Sequence, residues 1–198
     1  MPPLFLASAS PRRKQFLLEM GFDFRVVRSR ADEAVQEGET AQEYARRVAR
    51  AKAVNASGAT DSAVVLSADT VVVQEGEILG KPRDEGDFRR MMGKLSGAAH
   101  EVVTAVVARV IAGPTFERLV STRVWMRPLS EQEIAWYWAT NEPRDKAGGY
   151  ALQGKGGVFV TRIEGSSSNV IGLPLAETLA MLEEAGVKPP WIDPRVRS

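Results

Sequence analysis

The 198-residue chain contains no cysteine. That excludes a disulfide framework and thiolate chemistry. It contains one histidine, His100, so a multi-histidine metal site is excluded as well. His100 opens the run HEVVTAVVARVIA, a place that suits a structural role at a strand end better than catalysis. No apolar run reaches membrane-spanning length, and the N-terminus lacks a charged region followed by a long hydrophobic one. The expectation is a soluble, cytoplasmic protein with no membrane partner. Charge is scarce in the net: 26 Lys and Arg stand against 25 Asp and Glu, for +1. Without a broad basic field, no nucleic-acid partner is expected. The GxxxxGK[ST] phosphate loop and the protein-kinase signatures are also missing.

What is present is an ordinary globular composition. At 44% hydrophobic the chain can build a core, and its length fits one domain or one domain with a small lobe. Strand and helix patterns alternate, which predicts an α/β fold. Leu4–Ala7 reads as a buried strand. Ser10 and Pro11 then suit the N-cap and first turn of a helix, with Phe16, Leu17 and Met20 inward and Gly21 at its end. Phe22, Phe24 and Val26 alternate like a second strand. A polar loop with Asp32 and Glu33 leads to the capping box Thr40–Glu43 and a helix through QEYARRVARAKAVNAS.

AVVLSADTVVVQEGEILGKP reads as a hairpin turning at Glu75–Gly76, and Asp84 caps a helix with Phe88, Met91, Met92 and Leu95 on one face. A second hairpin turns at Gly113–Pro114. Ser130 and Glu133 box another helix, with Ile134, Tyr137 and Trp138 toward the core. The glycine-rich stretch DKAGGYALQGKGG precedes a strand VFVTRI, and Pro174 opens a last helix ending at Gly186. Residues 1–187 are expected to form the single domain. The tail 188–198, KPPWIDPRVRS, is too proline-rich and polar to be core.

Several residues strain a purely structural account. Ser8, Ser10, Arg12 and Arg13 cluster at a strand end and a helix N-terminus. Cations there oppose the helix dipole unless an anion sits between them, so the cluster is either a phosphate site or a capped helix with two solvated arginines. Asp69 stands between VVLSA and TVVV, inside a central strand. Such a carboxylate needs a cation, hydrogen bonds or water. It is a catalytic or metal-binding group at a strand end that opens on a cleft, or else half of a buried ion pair or part of a bulge on an edge strand.

A two-residue turn at Glu75–Gly76 sets Thr70 opposite Lys81, bringing that ammonium within a residue or two of Asp69. Lys52 lies on the apolar face of its helix, eight residues beyond Tyr44, either snorkelling or directed into the same site, whereas Arg46, Arg47 and Arg50 look outward. Four cations (Arg12, Arg13, Lys52, Lys81) and two carboxylates (Asp69, Glu33) suit phosphates held beside a hard divalent cation. That is the chemistry of metal-assisted phosphoanhydride hydrolysis.

LASASPRR, SADTVV, LGKP, KLSG, DKAGGYALQG and NVIGLPL, in this order and spacing, resemble the blocks of the Maf family of nucleotide pyrophosphatases. The resemblance runs from Leu4 to Gly186. It implies a twisted mixed β-sheet flanked by helices, two lobes with a nucleotide-binding cleft, and hydrolysis of a nucleoside triphosphate to monophosphate and pyrophosphate with Mg²⁺ or Mn²⁺. By the resemblance Asp69 is the catalytic acidic residue, and Ser8, Arg12, Arg13, Glu33, Lys52 and Lys81 line the substrate site. In that chemistry Asp69 would activate water, bind the metal, or do both, with Glu33 assisting as the second candidate metal ligand, and by the resemblance Arg12, Thr70 and Gln153 sit at specificity positions.

DKAGGYALQG resembles the branch acting on dTTP and UTP, where an amide stands at Gln153 rather than a carboxylate. An amide can both accept from N3–H and donate to a carbonyl of uracil or thymine. Ser167 departs from the family, whose members often carry a larger residue there, and local packing should register the difference. The family's association with septum formation and division arrest implies a second reading, a nucleotide-binding regulator with hydrolysis secondary. A homodimer stays open.

Overall fold

The computed structural model describes residues 1–192; residues 193–198, within the expected tail, lie outside the described residues. Among the described residues seven strands form one mixed sheet. They are β1 (Leu4–Leu6), β2 (Arg25–Val26), β3 (Val64–Gln74), β4 (Glu77–Leu79), β5 (Ala99–Val110), β6 (Thr115–Met126) and β7 (Val160–Glu164). Their order is β2-β1-β3-β5-β6-β7, with β4 paired to β3. Among the described residues six α-helices accompany them: α1 (Pro11–Glu19), α2 (Ala41–Val54), α3 (Glu85–Leu95), α4 (Glu131–Ala139), α5 (Ser167–Ile171) and α6 (Leu175–Glu184). The expected α/β class with a mixed sheet flanked by helices is what the chain adopts.

The chain divides into two compact units. The first takes residues up to Asp69, Thr104–Leu119 and the chain from Gly172 onward. Here β1 pairs in parallel with β2 and with Val64–Leu66 of β3. Every residue of β1 is buried, as a parallel strand covered on both faces requires. Leu4, Leu6, Leu17, Leu66, Val106 and Leu182 are among the side chains that close this unit's core.

The second unit takes Thr70–Val103 and Val120–Ile171. The β3–β4 hairpin turns at Glu75 and Gly76, both at positive φ (50° and 81°), the signature of a tight two-residue turn. Its register, Val72 opposite Leu79, is the predicted one. Phe88, Met92 and Leu95 of α3 pack with Tyr137 of α4 and with Phe159. Tyr137 and Phe159 meet edge to face at 5.1 Å.

Both capping boxes form, at Thr40–Glu43 and Ser130–Glu133, and the Asp84 side chain accepts from the Asp87 N–H. Ser10 differs: it sits at the N-cap in extended geometry, but its side chain caps nothing and α1 has no acidic residue in its first turn. The strand expected from Phe22 onward shrinks to Arg25–Val26, because Phe22 turns into the core as a plug. The strand VFVTRI begins only at Val160, since Val158 and Phe159 belong to a 3-10 turn. The start of the tail is not solvated as expected. Pro189 is buried, a proline ring being as able as any apolar side chain to cover a core. Ser167 is exposed at the start of α5, so its small size leaves no packing defect. Among the described residues no helix is long and apolar enough to cross a membrane.

Candidate active site

Ser67 and Asp69, two residues apart on β3, face the same side of the sheet. α2 covers that side with Ala45, Val48 and Ala49, and Ser67 Oγ donates to the Ala49 carbonyl at 2.7 Å. This small-residue contact lets the strand and helix lie close. Lys52, one turn beyond Val48, then reaches Asp69. Its Nζ donates to Asp69 Oδ1 at 2.8 Å and lies 2.8 Å from Glu33 Oε1. One ammonium thus bridges two carboxylates, one buried (Asp69, 7% exposed) and one at the surface (Glu33). Burial pushes the Asp69 carboxyl above its ordinary pKa, against the pull of Lys52 and Arg13.

Arg13 is buried too, and is held by acceptors. Its Nε donates to the Gly172 carbonyl at 2.8 Å, and Nη1 donates to the Ala68 carbonyl at 2.8 Å and to Ser8 Oγ at 3.2 Å. Burial lowers its pKa, while the charges of Asp69 and Glu33 work the other way. Ser8 Oγ also accepts from the Ser10 N–H at 3.2 Å. Arg12 beside it is half-buried, and its guanidinium makes no ion pair or hydrogen bond recorded among the described residues.

The loop carrying Glu33 is fixed from α2. Tyr44 Oη donates to the Glu33 carbonyl at 2.8 Å. Arg47 donates to the Asp32 carbonyl at 3.0 Å and the Ala34 carbonyl at 2.8 Å, and is oriented by Glu39 at 2.6 and 2.9 Å. Burial, with Asp69 and Glu33 nearby, pushes the Tyr44 phenol up to about 12, so it stays a donor. The expectation that Arg47 looks outward is therefore corrected: its two carbonyl bonds make it a loop clamp. Tyr44 was legible only as an apolar-face residue. Its spacing from Lys52, two turns, was the signal that both address the same place.

The structure brings Ser8, Arg13, Glu33, Lys52 and Asp69 into one network, with Arg12 at the adjoining helix start. Thr70, Lys81 and Gln153 belong to the second unit. Lys81 lies two residues past the end of the β3–β4 ladder and is exposed, as is Gln153. Among the described residues no three acidic or histidine side chains gather as a metal cluster.

A family model described as Maf-like protein matches residues 3–185. The chain belongs to the Maf family. Relatives in that family include the dTTP/UTP pyrophosphatase of Anaeromyxobacter sp. (strain Fw109-5), 51% identical over 195 residues, 96% of this chain and 93% of its own length. The dTTP/UTP pyrophosphatase of Myxococcus xanthus is 49% identical over 95% of each chain. That of Vibrio cholerae is 47% identical over 91% of this chain and 97% of its own. The Maf blocks read from the sequence fall on structural joints. LASASPRR is the β1–α1 turn, SADTVV the middle of β3, and DKAGGYALQG the run of turns after α4.

Proposed function

We propose that this Maf protein is a nucleoside triphosphate pyrophosphatase acting on dTTP and UTP. The observation that carries the reading is the ammonium of Lys52 held 2.8 Å from both Asp69 and Glu33, beside the uncapped first turn of α1. The names of relatives near 50% identity over nearly the whole chain support the substrate class. Such free nucleotides are met in the cytoplasm, where the enzyme would work.

In this reading Arg12 and the N-terminal turn of α1 receive phosphate oxygens, helped by Lys81. Arg13, held by carbonyls and Ser8, keeps the β1–α1 turn and the middle of β3 in register for that contact. Asp69 accepts a proton from water as its oxygen attacks the α-phosphorus. The bond from that phosphorus to the bridging oxygen breaks, and pyrophosphate leaves with the electron pair. Lys52 holds the Asp69 carboxylate in place and ionised.

The two carboxylates converging on one cation fit Mg²⁺ or Mn²⁺, which commonly take one or two carboxylates and complete their shell with water and substrate phosphates. Asp69 and Glu33 would hold it, and when bound it would neutralise charge on the phosphates. Thr70 and Gln153 would meet the base, the Gln153 amide answering N3–H and the neighbouring carbonyl.

The test is pyrophosphate release by the purified protein with Mg²⁺ over a panel of nucleotides. The expected result is turnover of dTTP and UTP well above that of purine nucleotides. Binding of those nucleotides without release of pyrophosphate would replace the enzyme with a nucleotide-binding regulator.

A further inference from the structure

Gln153 is exposed, and its amide makes no hydrogen bond recorded among the described residues. Nothing local orients that side chain except the backbone that carries it. That backbone is pinned on both sides by two residues of α4 and the turn after it. Tyr137 Oη accepts from the Ala151 N–H at 3.0 Å and donates to Glu142 Oε1 at 2.8 Å. Glu142 Oε1 also accepts from the Gly156 N–H at 3.0 Å, and its Oε2 accepts from the Lys155 N–H at 3.0 Å. Three amides flanking Gln153, at 151, 155 and 156, thus end on one phenol and one carboxylate.

The glycines are shaped to these acceptors. A Cβ on Gly154 would stand 2.6 Å from Glu142 Oε2, and one on Gly156 would stand 2.5 Å from Tyr137 Oη. Tyr137 itself is fully buried between Phe88 and Phe159, so its hydroxyl is a fixed point. The hydrogen bonds to Glu142 lower its pKa despite partial burial, so it is the acceptor-only carboxylate that serves here.

We infer that Tyr137 and Glu142 are positioning residues for base selection: they hold segment 151–156 so that Gln153 presents its amide to the base. The inference rests on the reading of Gln153 as a base-contacting residue. It predicts a selectivity defect and not merely a weaker enzyme. Glu142→Gln keeps the size of the side chain but sets an NH₂ group, a donor, among groups that themselves donate.

The experiment measures kcat/KM for UTP and for GTP, with melting curves, in Glu142→Gln, Gln153→Ala and the double variant. The UTP:GTP ratio should fall about tenfold in each single variant, the scale of one net hydrogen bond. The double variant should fall no further than Gln153→Ala alone, because the clamp acts only through that side chain. If Gln153→Ala lowers the ratio while Glu142→Gln slows both nucleotides alike, the clamp is structural and the inference fails. If Gln153→Ala leaves the ratio unchanged, the base-reading assignment fails first and takes the inference with it. Should Glu142→Gln not fold, Tyr137→Phe serves in its place, since it keeps the buried ring and deletes only the hydroxyl.

Discussion

Lys52 and Asp69 form an ion pair of 2.8 Å in which both side chains are largely withdrawn from water, 15% and 10% exposed. Removing one partner from such a pair leaves the other charged and buried, which costs about 3–5 kcal/mol. The asymmetry between the partners separates structure from catalysis. Lys52→Met should lower the urea midpoint sharply at neutral pH, and less at acidic pH, where the Asp69 carboxyl can take up a proton. Asp69→Asn, which leaves Lys52 its second partner Glu33, should fold with near-normal stability. Its turnover should fall about a hundredfold, the usual loss with a general base. Lys52→Met with Asp69→Asn should recover much of the stability lost by Lys52→Met alone. Near-normal turnover in Asp69→Asn would remove that residue from the mechanism.

The two adjacent arginines should behave differently, although the sequence presents them as a pair. Arg13→Ala deletes donors to the Ala68 and Gly172 carbonyls and to Ser8, so it should lower the melting temperature as well as activity. Arg12→Ala should leave the melting temperature within the small range of surface substitutions. It should weaken triphosphate binding by about 1.5–3 kcal/mol, the scale of a hydrogen bond to a charged group. A calorimetric titration with a non-hydrolysable nucleotide, beside thermal melts, distinguishes them. Equal losses of stability in both variants would contradict this division of labour.

Arg47 offers a test at one remove from the substrate. Its bonds to the Asp32 and Ala34 carbonyls, with that of Tyr44 to the Glu33 carbonyl, fix the backbone on which Glu33 sits. Arg47→Lys retains the charge but cannot span two carbonyls and Glu39 with a planar fork. It should reduce kcat severalfold and raise the Mg²⁺ concentration needed for half-maximal rate, with little change in KM. Tyr44→Phe should do the same more mildly. If Arg47→Lys changes KM for the nucleotide instead, the residue contacts phosphate and is not a loop clamp.

Much of this arrangement was visible in the residue order, and what was not has physical reasons. The β3–β4 register followed from Glu75–Gly76, because turn length fixes which residues face each other. Asp69 announced itself as a carboxylate where apolar packing was expected. Lys52 announced itself by helical spacing from Tyr44 and Val48. The burial of Arg13 was not legible: a guanidinium bound to main-chain carbonyls carries no sequence mark, since its acceptors at residues 68 and 172 belong to any residue type. The same holds for Arg47 and Glu142, which work on backbone groups. Pro189 was assigned to a solvated tail on composition, which cannot register that a proline ring is apolar enough to cover a core.

His100 supplies the remaining prediction, and it concerns acid stability. The ring is 3% exposed, its Nε2 shares a hydrogen bond of 2.7 Å with Tyr150 Oη, and its Nδ1 is buried without a partner among the described residues. Burial lowers its pKa from 6.5 to about 4. A histidine depressed in the folded state is protonated first in the unfolded state. Between pH 6.5 and pH 4 the unfolded chain therefore binds the extra proton, and stability falls as pH falls. Above pH 6.5 both states hold the neutral ring and the contribution is constant. The loss approaches about 3 kcal/mol at the acid end of that window, with a slope of up to about 1.4 kcal/mol per pH unit. His100→Gln, which keeps a polar partner for Tyr150 but does not titrate, should flatten the pH dependence of unfolding free energy by one proton across this interval. Urea titrations at half-unit steps from pH 4.5 to 7.5 read that slope directly. Parallel curves for the wild type and His100→Gln would show that the imidazole is protonated as readily in the folded protein as in the unfolded chain.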